Sequence, residues 1–199
     1  MLVLILIASL VWVPVGVYIG LHPRLAVRAQ PIAQFLAAFP ANLFFPIAVI
    51  VMLQYHLTPE IFTAPLMILG TQWYILFNVI AGASTLPNDL KEVAADLDLP
   101  LWQRWRRLYL PGIFPFLVTG LLTASGGTWN ASIVAEVVSW GHDTLTATGV
   151  GSYIAQASVE QDYGKILLGI VVMSFYVVSL NRLVWRRLYR LAESRYRLA

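Results

Sequence analysis

The chain has 199 residues, of which 59% are hydrophobic and 12% are charged, whereas roughly 25% of the residues in an ordinary soluble domain are charged. This composition excludes a water-soluble globular protein. The mean hydropathy is +0.73, and the chain contains five apolar stretches, each close to the ~20 residues that cross a bilayer. These features predict a polytopic membrane protein that forms a single domain over residues 1–199. The absence of cysteine excludes disulfides, thiolate metal sites and thiol nucleophiles.

Five apolar spans, each predicted to be a transmembrane helix, follow one another along the chain. The first covers residues 1–20, and its positive charges follow it, which is the reverse of the order in a cleaved signal peptide. The other four are predicted at about 31–53, 61–83, 111–138 and 166–184. The predicted fold class is therefore all-α, a bundle of about five transmembrane helices. Its loops are expected at 21–30, 54–60, 84–110 and 139–165, and a basic tail at 182–199.

Prolines and small residues predict how these spans pack. Prolines at positions 14, 40, 46, 65 and 115 are expected to kink helices and to leave backbone groups that neighbouring helices satisfy. The fourth span also has a surface of small residues, which favours close contact between helices. Its members are Gly120, Ala124, Ser125, Gly126 and Gly127.

The basic residues predict the orientation of the chain in the membrane. Alternation of five spans places the first loop, the third loop and the tail on one side. That side holds 12 of the 13 basic residues: Arg24, Arg28, Lys91, Arg104, Arg106, Arg107, Arg182, Arg186, Arg187, Arg190, Arg195 and Arg197. Only Lys165 falls on the other side, so the positive-inside rule predicts an external N-terminus and a cytoplasmic C-terminus. The sequence pI of about 9.3 reflects these membrane flanks and does not indicate nucleic-acid binding.

The basic tail is amphipathic. Trp185 and Tyr189 are placed for the membrane interface, and the tail is predicted to lie against the inner leaflet.

The loop at 84–110 reads as two short amphipathic helices. Asp89 and Glu92 make a start that resembles a capping box. The first helix has one apolar face, formed by Leu90, Val93, Ala94 and Leu97. After Asp98, Leu99 and Pro100, an apolar stripe resumes at Leu101, Trp102, Trp105, Leu108 and Tyr109. From periodicity alone, this surface either lies on the bilayer or docks against a partner.

Several motifs in and around this loop resemble a known family. The run from Glu92 to Asp98 (EVAADLD), followed by Trp102-Gln103, Arg106-Arg107 and Leu110-Pro111, resembles the EAA loop of the permease subunits of bacterial ABC importers. The nitrate, sulfonate and taurine branch is the most similar. Weaker resemblance continues through FLAAFPANLFFP and GTQWYILFNVIAG upstream, and through GTWNASIVAEVVSW and GVGSYI downstream.

In that family the loop forms a coupling helix that fits a cleft in the ATP-binding subunit. The resemblance implies this contact for Glu92, Val93, Ala94, Ala95, Leu97, Asp98, Trp102, Arg106 and Pro111. The glycine that usually follows the EAA run is replaced by Asp98, which tolerates a left-handed turn better than most residues but less well than glycine.

The resemblance also implies a MetI-like fold in the bacterial inner membrane. The implied partners are an ABC ATP-binding subunit, an extracytoplasmic substrate-binding protein, a second permease copy or half, and the lipid bilayer. The implied substrate is a small anion or a sulfonate-like solute. Because members of this branch usually have one further N-terminal span, the chain is expected to be a fragment, a minimal five-span core or half of a longer permease.

A few polar residues lie inside the apolar spans. Glu136, near the outer end of the fourth span, either reaches the interface or lines a translocation pathway together with Asn130. Gln72 and Asn78 either line the same pathway or form hydrogen bonds between helices.

The sequence lacks the usual signs of catalysis. There is no phosphate-binding loop, so ATP hydrolysis is expected in a partner chain and this chain is not predicted to be an enzyme. His22, His56 and His142 lack the spacing of a metal site, and neither a metal nor a cofactor is predicted. The leading hypothesis is an importer permease, and the alternatives are a secondary transporter or channel that needs no ATPase and a membrane-embedded enzyme.

Overall fold

The computed structural model of the chain describes residues 1–58, 63–140 and 143–196. Within them the helices are α1 (Leu2–Gly20), α2 (Pro23–Ala38), α3 (Phe45–Gln54), α4 (Ala64–Leu69), α5 (Gln72–Ser84), α6 (Asn88–Asp96), α7 (Leu101–Ala135), α8 (Val150–Val159) and α9 (Tyr163–Arg195). A 3₁₀ turn at Ala41–Phe44 precedes α3. An antiparallel hairpin of β1 (Val137–Trp140) and β2 (Asp143–Thr146) lies between α7 and α8.

Four helical segments in the described residues are long and apolar enough to cross a membrane. They are α1, the stretch from α4 to the end of α5, α7 and α9, and the bent pair formed by α2 with Ala41–Gln54 makes a fifth if it counts as one span. This confirms the predicted all-α membrane bundle. The short hairpin was not predicted.

Helix α5 lies at the centre of the bundle, packed against α1, α2 and α7. It runs parallel to α1, because Trp12 donates a hydrogen bond to Gln72 at 3.0 Å and Gly20, eight residues later, lies against Ala83. Because α1 and α5 run in the same direction, the chain between them must cross back to the other end of the bundle. The bent pair makes this crossing. Helix α6 follows the C-terminal end of α5, and we call this end of the bundle the α6 end. The other end of the bundle is called the opposite end.

Helix α7 runs antiparallel to α5. The hydroxyl groups of Thr71 and Thr128 lie 3.0 Å apart, and Gly82 lies against Phe116. The main core cluster joins these helices through Ile5, Val17, Ile75, Val79 and Ile113. In a membrane these contacts stabilise the bundle through van der Waals packing, because lipid tails are as apolar as the side chains themselves.

Small residues on α7 allow this close packing. A Cβ at Gly120 would lie 3.0 Å from the Tyr74 carbonyl oxygen, and one at Gly127 would lie 2.6 Å from the Thr71 Cγ2. Ala124 and Ser125 are buried, whereas a Cβ at Gly126 would meet nothing within 4 Å. Four of the five small residues therefore serve helix contact as predicted, and the prediction for Gly126 is wrong.

The predicted second span is not one straight helix. Helix α2 begins at Pro23, inside the predicted loop 21–30, and ends at Ala38, and the segment Ala41–Gln54 departs from it by 74°. The break lies at Pro40, which cannot donate a backbone hydrogen bond and holds Phe39 in an extended conformation (ψ 130°). In the predicted third span, residues 61 and 62 lie outside the described residues, and the helix is interrupted between Leu69 and Gln72.

The fourth span begins earlier than predicted. The second helix expected in the loop is the first part of α7, which runs without interruption from Leu101 to Ala135 and passes through Pro111. A π-turn at Trp105–Tyr109 precedes this proline, because Pro111 has no N–H to donate to the Arg107 carbonyl and the helix widens to accommodate it. The span ends at Ala135 rather than at residue 138, where the chain enters β1. The predicted loop 139–165 holds most of the hairpin and α8.

The fifth span and the tail form one helix, α9, that continues to Arg195. Trp185 is buried and donates a hydrogen bond to the Ser125 hydroxyl at 3.2 Å, and the ring of Tyr196 lies 4.7 Å from that of Phe114. The end of α9 therefore packs antiparallel along α7. Trp185 therefore packs against α7 instead of facing lipid headgroups, because the small side chain of Ser125 leaves room for the indole.

Candidate functional site

An apolar surface is exposed at the α6 end of the bundle. Five large side chains of α6 and the start of α7 have between 41% and 71% of their area exposed: Leu90, Val93, Leu97, Leu101 and Trp102. We call these five residues the apolar loop surface. Contiguous exposed apolar groups of this size are typical of a surface that another molecule covers.

The backbone beneath this surface is held by a tight turn. Asp98 has φ of 44°, which is the left-handed conformation expected at this position. The Leu99 amide donates to the Ala94 carbonyl at 3.2 Å and the Asp98 amide donates to the Ala95 carbonyl at 2.9 Å, which together form a Schellman motif. The Arg104 Nε then donates to the Leu99 carbonyl at 2.7 Å. These bonds fix the angle between α6 and α7.

Ala94 differs from the other residues of the predicted apolar face. Only 5% of its surface is exposed, so it packs inside the chain, whereas Leu90, Val93 and Leu97 are exposed. A substitution at Ala94 therefore tests the fold of the loop before it tests any docking.

The remaining predicted loop residues are exposed or half-buried. Glu92, Ala95 and Arg106 are exposed, and the half-buried Pro111 lines a small cavity of about 130 Å³ at the junction with the tail. The capping box predicted for Asp89 and Glu92 does not form: α6 begins at Asn88, and no side chain caps it.

Glu136 is buried, with 8% of its surface exposed. Its Oε2 accepts a hydrogen bond from the Ser152 backbone amide at 2.9 Å, and its carboxylate occupies the space that a side chain at Gly149 would fill. Ser152 lies in the first turn of α8, where an anion is favoured by the helix dipole. Glu136 thus fastens α8 to the end of α7.

The other polar span residues do not converge on Glu136. Gln72 accepts the hydrogen bond from Trp12, which joins α5 to α1. A hydrogen bond between helices was one of the two alternatives predicted for Gln72. Asn78 donates to the Tyr74 carbonyl of its own helix at 2.7 Å, so it makes no hydrogen bond between helices. Asn130 is exposed. These four residues contact different neighbours and form no common polar cluster.

Among residues 1–58, 63–140 and 143–196, no group of three or more His, Cys, Asp or Glu side chains is placed to hold a metal ion. His142 lies outside these ranges.

Sequence reasoning missed the polar contacts that join α9 to α7. The bond between Trp185 and Ser125 pairs residues sixty positions apart, and only the small residue at 125 signals a close approach. This contact also places Arg182 and Arg186 beside the bundle, in a cleft lined by both helices.

The fold defines a polytopic α-helical membrane protein with an apolar surface on one end loop. Residues 12–198 match the family of binding-protein-dependent transport system inner membrane components, and the chain belongs to this family. It lies among ABC importer permeases of the nitrate and sulfonate branch, as the loop resemblance predicted.

Relatives of stated function come from several organisms. The chain is 29% identical to the bicarbonate transport system permease protein CmpB of Synechococcus elongatus over 89% of its own length and 61% of the relative. It is 26% identical to the nitrate import permease protein NrtB of Leptolyngbya laminosa over 90% of the chain and 61% of the relative. It is 25% identical to the putative aliphatic sulfonates transport permease protein SsuC of Bacillus subtilis over 90% of the chain and 63% of the relative. The chain therefore spans less than two thirds of the length of these relatives.

Proposed function

We propose that this chain is the transmembrane subunit of an ABC importer and that the apolar loop surface docks into a separate ATP-binding subunit. An extracytoplasmic binding protein and a second permease copy or half complete the assembly. The observation that carries the proposal is the exposure of five large apolar side chains on a loop whose backbone is fixed by hydrogen bonds. A rigid apolar surface loses little conformational entropy when it docks, which favours binding.

The charge of α6 supports a protein partner over the bilayer surface. The helix carries Asp89, Glu92 and Asp96 but only one basic residue, Lys91. Helices that lie on membranes are rich in Lys and Arg on their polar face, because the cytoplasmic leaflet is negatively charged. An acidic helix is repelled there, whereas it suits a cleft with basic edges.

The distribution of charge supports a cytoplasmic α6 end. Lys91 and Arg104 lie at that end, and Arg24 and Arg28 lie in α2, just after α1 arrives there. At the opposite end, Lys165 lies 2.9 Å from Glu160 and 3.4 Å from Asp162, so two carboxylates outweigh its charge. The hydrogen bond from Lys165 lowers the pKa of Glu160, which keeps this end acidic.

The names of the relatives support an anionic substrate. Bicarbonate, nitrate and aliphatic sulfonates are all anions of modest size. We infer that this chain transports a small anion of the same kind.

The docking proposal is tested by Leu97→Glu. Leu97 is exposed, so the substitution does not disturb the core, but it places a charge where the proposal expects a buried contact. We expect about a tenfold weaker association with the ATPase that co-purifies with the wild-type chain, as for an interface residue worth about 1.4 kcal/mol. The recovered ATPase is identified by mass spectrometry and quantified by ATP hydrolysis.

Val159→Glu is the matched control. Val159 is an exposed apolar residue at the opposite end, so this variant should retain the ATPase. If Leu97→Glu also retains it at the wild-type level, the docking proposal is wrong. Transport without any bound ATPase would favour a secondary transporter or channel.

A further inference from the structure

A small cavity at the α6 end of the bundle is lined by three separate parts of the chain. Its volume is about 130 Å³, and its wall includes the side chains of Leu86, Leu90, Leu108 and Tyr196 and two arginines, Arg107 and Arg195. The leucines and the first arginine come from the loop at 84–110, whereas the tyrosine and the second arginine come from the end of the basic tail. The fold therefore joins this loop to the tail at one place.

The two arginines of the cavity have no partner in the protein. Within the described part of the chain, neither Arg107 nor Arg195 forms an ion pair or donates a side-chain hydrogen bond, and no acidic residue lines the cavity. Both side chains are exposed. A guanidinium group presents a planar set of donors that matches the oxygen atoms of a phosphate. The cavity therefore offers two unused positive charges to an anion.

The cavity lies at the level where the bundle meets the membrane surface. Leu86 follows the C-terminal end of α5, and Pro111 begins the apolar part of α7. Arg195 belongs to the tail that follows the exposed apolar stretch Tyr163–Leu180 of α9, so it lies outside that stretch as well. The ring of Tyr196 is of the kind that is enriched at membrane–water interfaces. Lipid headgroups lie at the same level and can reach the cavity.

The size and the wall of the cavity limit what can enter it. Pockets for drug-sized molecules have volumes of about 300–1,000 Å³. A cavity of about 130 Å³ is therefore too small for a nucleotide, but it has room for a phosphate group. The three leucines favour a phosphate that carries an apolar body, because the water around a free anion would lie against apolar side chains.

We propose that Arg107 and Arg195 bind the phosphate of an anionic phospholipid. Inorganic phosphate offers the same oxygen atoms, but the acyl chains hold a lipid phosphate at the level of the cavity and so raise its local concentration. The α6 end is the proposed cytoplasmic end, and the cytoplasmic leaflet is negatively charged. The bound headgroup links the tail to the start of α7. This site goes beyond the docking of an ATPase and does not depend on it.

The test measures lipid binding to the purified chain in a neutral detergent, without any ATPase. Short-chain phosphatidylglycerol and phosphatidylcholine are titrated separately, and the bound lipid is counted by native mass spectrometry. Inorganic phosphate is then added as a soluble competitor. We expect saturable binding of phosphatidylglycerol that is at least about tenfold tighter than the binding of phosphatidylcholine or of inorganic phosphate.

Paired substitutions locate the site. Arg107→Gln with Arg195→Gln should weaken the binding of phosphatidylglycerol about tenfold or more. The matched control is Arg187→Gln with Arg190→Gln, which removes the same charge but from residues that line a separate depression of the tail. In about 0.15 M salt this control should change binding far less, because exposed charges outside the cavity are screened.

A third pair of substitutions keeps the charge. Arg107→Lys with Arg195→Lys should retain the preference for phosphatidylglycerol over phosphatidylcholine, because both positive charges remain. This pair carries the test if the glutamine pair does not fold, and loss of its preference would overturn the proposal.

Two other outcomes also overturn the proposal. Equal weakening by the two glutamine pairs would mean that the tail attracts anionic lipid through its overall charge, without a site at the cavity. Binding of inorganic phosphate as tight as that of phosphatidylglycerol would mean that a soluble anion occupies the cavity. If the lipid site is found and Leu97→Glu still retains the ATPase, the docking proposal fails and the lipid site stands.

Discussion

Glu136→Ala should release α8 from the end of α7. The wild-type carboxylate is buried and accepts the Ser152 amide hydrogen bond at 2.9 Å. Its removal leaves a buried N–H without a partner, which costs about 1–3 kcal/mol. It also removes a negative charge from a helix N-terminus, where such a charge contributes about 0.3–1 kcal/mol. We expect the free energy of local opening of α8 to fall by about 2 kcal/mol.

Hydrogen exchange of the α8 amides in detergent or nanodiscs measures this change. A loss of 2 kcal/mol corresponds to exchange about thirtyfold faster, since each 1.36 kcal/mol is tenfold. Glu136→Gln is the matched control, because it keeps an acceptor oxygen of similar reach and removes only the charge. It should retain most of the protection.

The result that would refute this reasoning is unchanged exchange in Glu136→Ala. If transport were lost in that variant while α8 stayed protected, Glu136 would act in the translocation pathway, as one reading of the sequence suggested. Loss of protection together with loss of transport would assign the transport defect to the displaced helix.

Two further predictions follow from the packing and the charges. Gly20→Ala should destabilise the bundle by about 1–3 kcal/mol, because its Cβ would lie 2.6 Å from the Ile80 carbonyl oxygen. Gly126→Ala, where a Cβ meets nothing within 4 Å, should be neutral or slightly stabilising, and equal denaturation midpoints for the two variants would contradict the packing argument. Single cysteines at Arg195 and Ser158 should react with impermeant reagents from the cytoplasm and from outside, respectively, and the reverse pattern would overturn the proposed orientation.

The sequence by itself determined the class of the protein and the position of its loop surface. Long apolar runs have few stable folds other than membrane helices, so the five spans could be read directly. The EAA-like run from Glu92 to Asp98 could also be recognised from the sequence, because such a loop is a local feature with a local pattern. The left-handed turn at Asp98 could likewise be predicted from the local sequence.

Only the tertiary structure decided which faces meet. A helix such as α1 is apolar on all sides, so its sequence does not indicate that Trp12 and Gly20 face α5. The helix breaks at Pro40 but continues through Pro111. The two prolines differ because the neighbouring structure decides whether a proline ends a helix or only widens it.

The same limit applies to the candidate sites. Ala94 lies on the predicted apolar face but turns inward, and Glu136 finds its partner sixteen residues away on another helix. Arg182 and Arg186 follow an apolar span and therefore read as flanking charges. The packing of the tail along α7 depends on Trp185 reaching Ser125, a contact between distant parts of the chain. Local periodicity carries no information on such contacts, because they depend on how complete helices pack against one another.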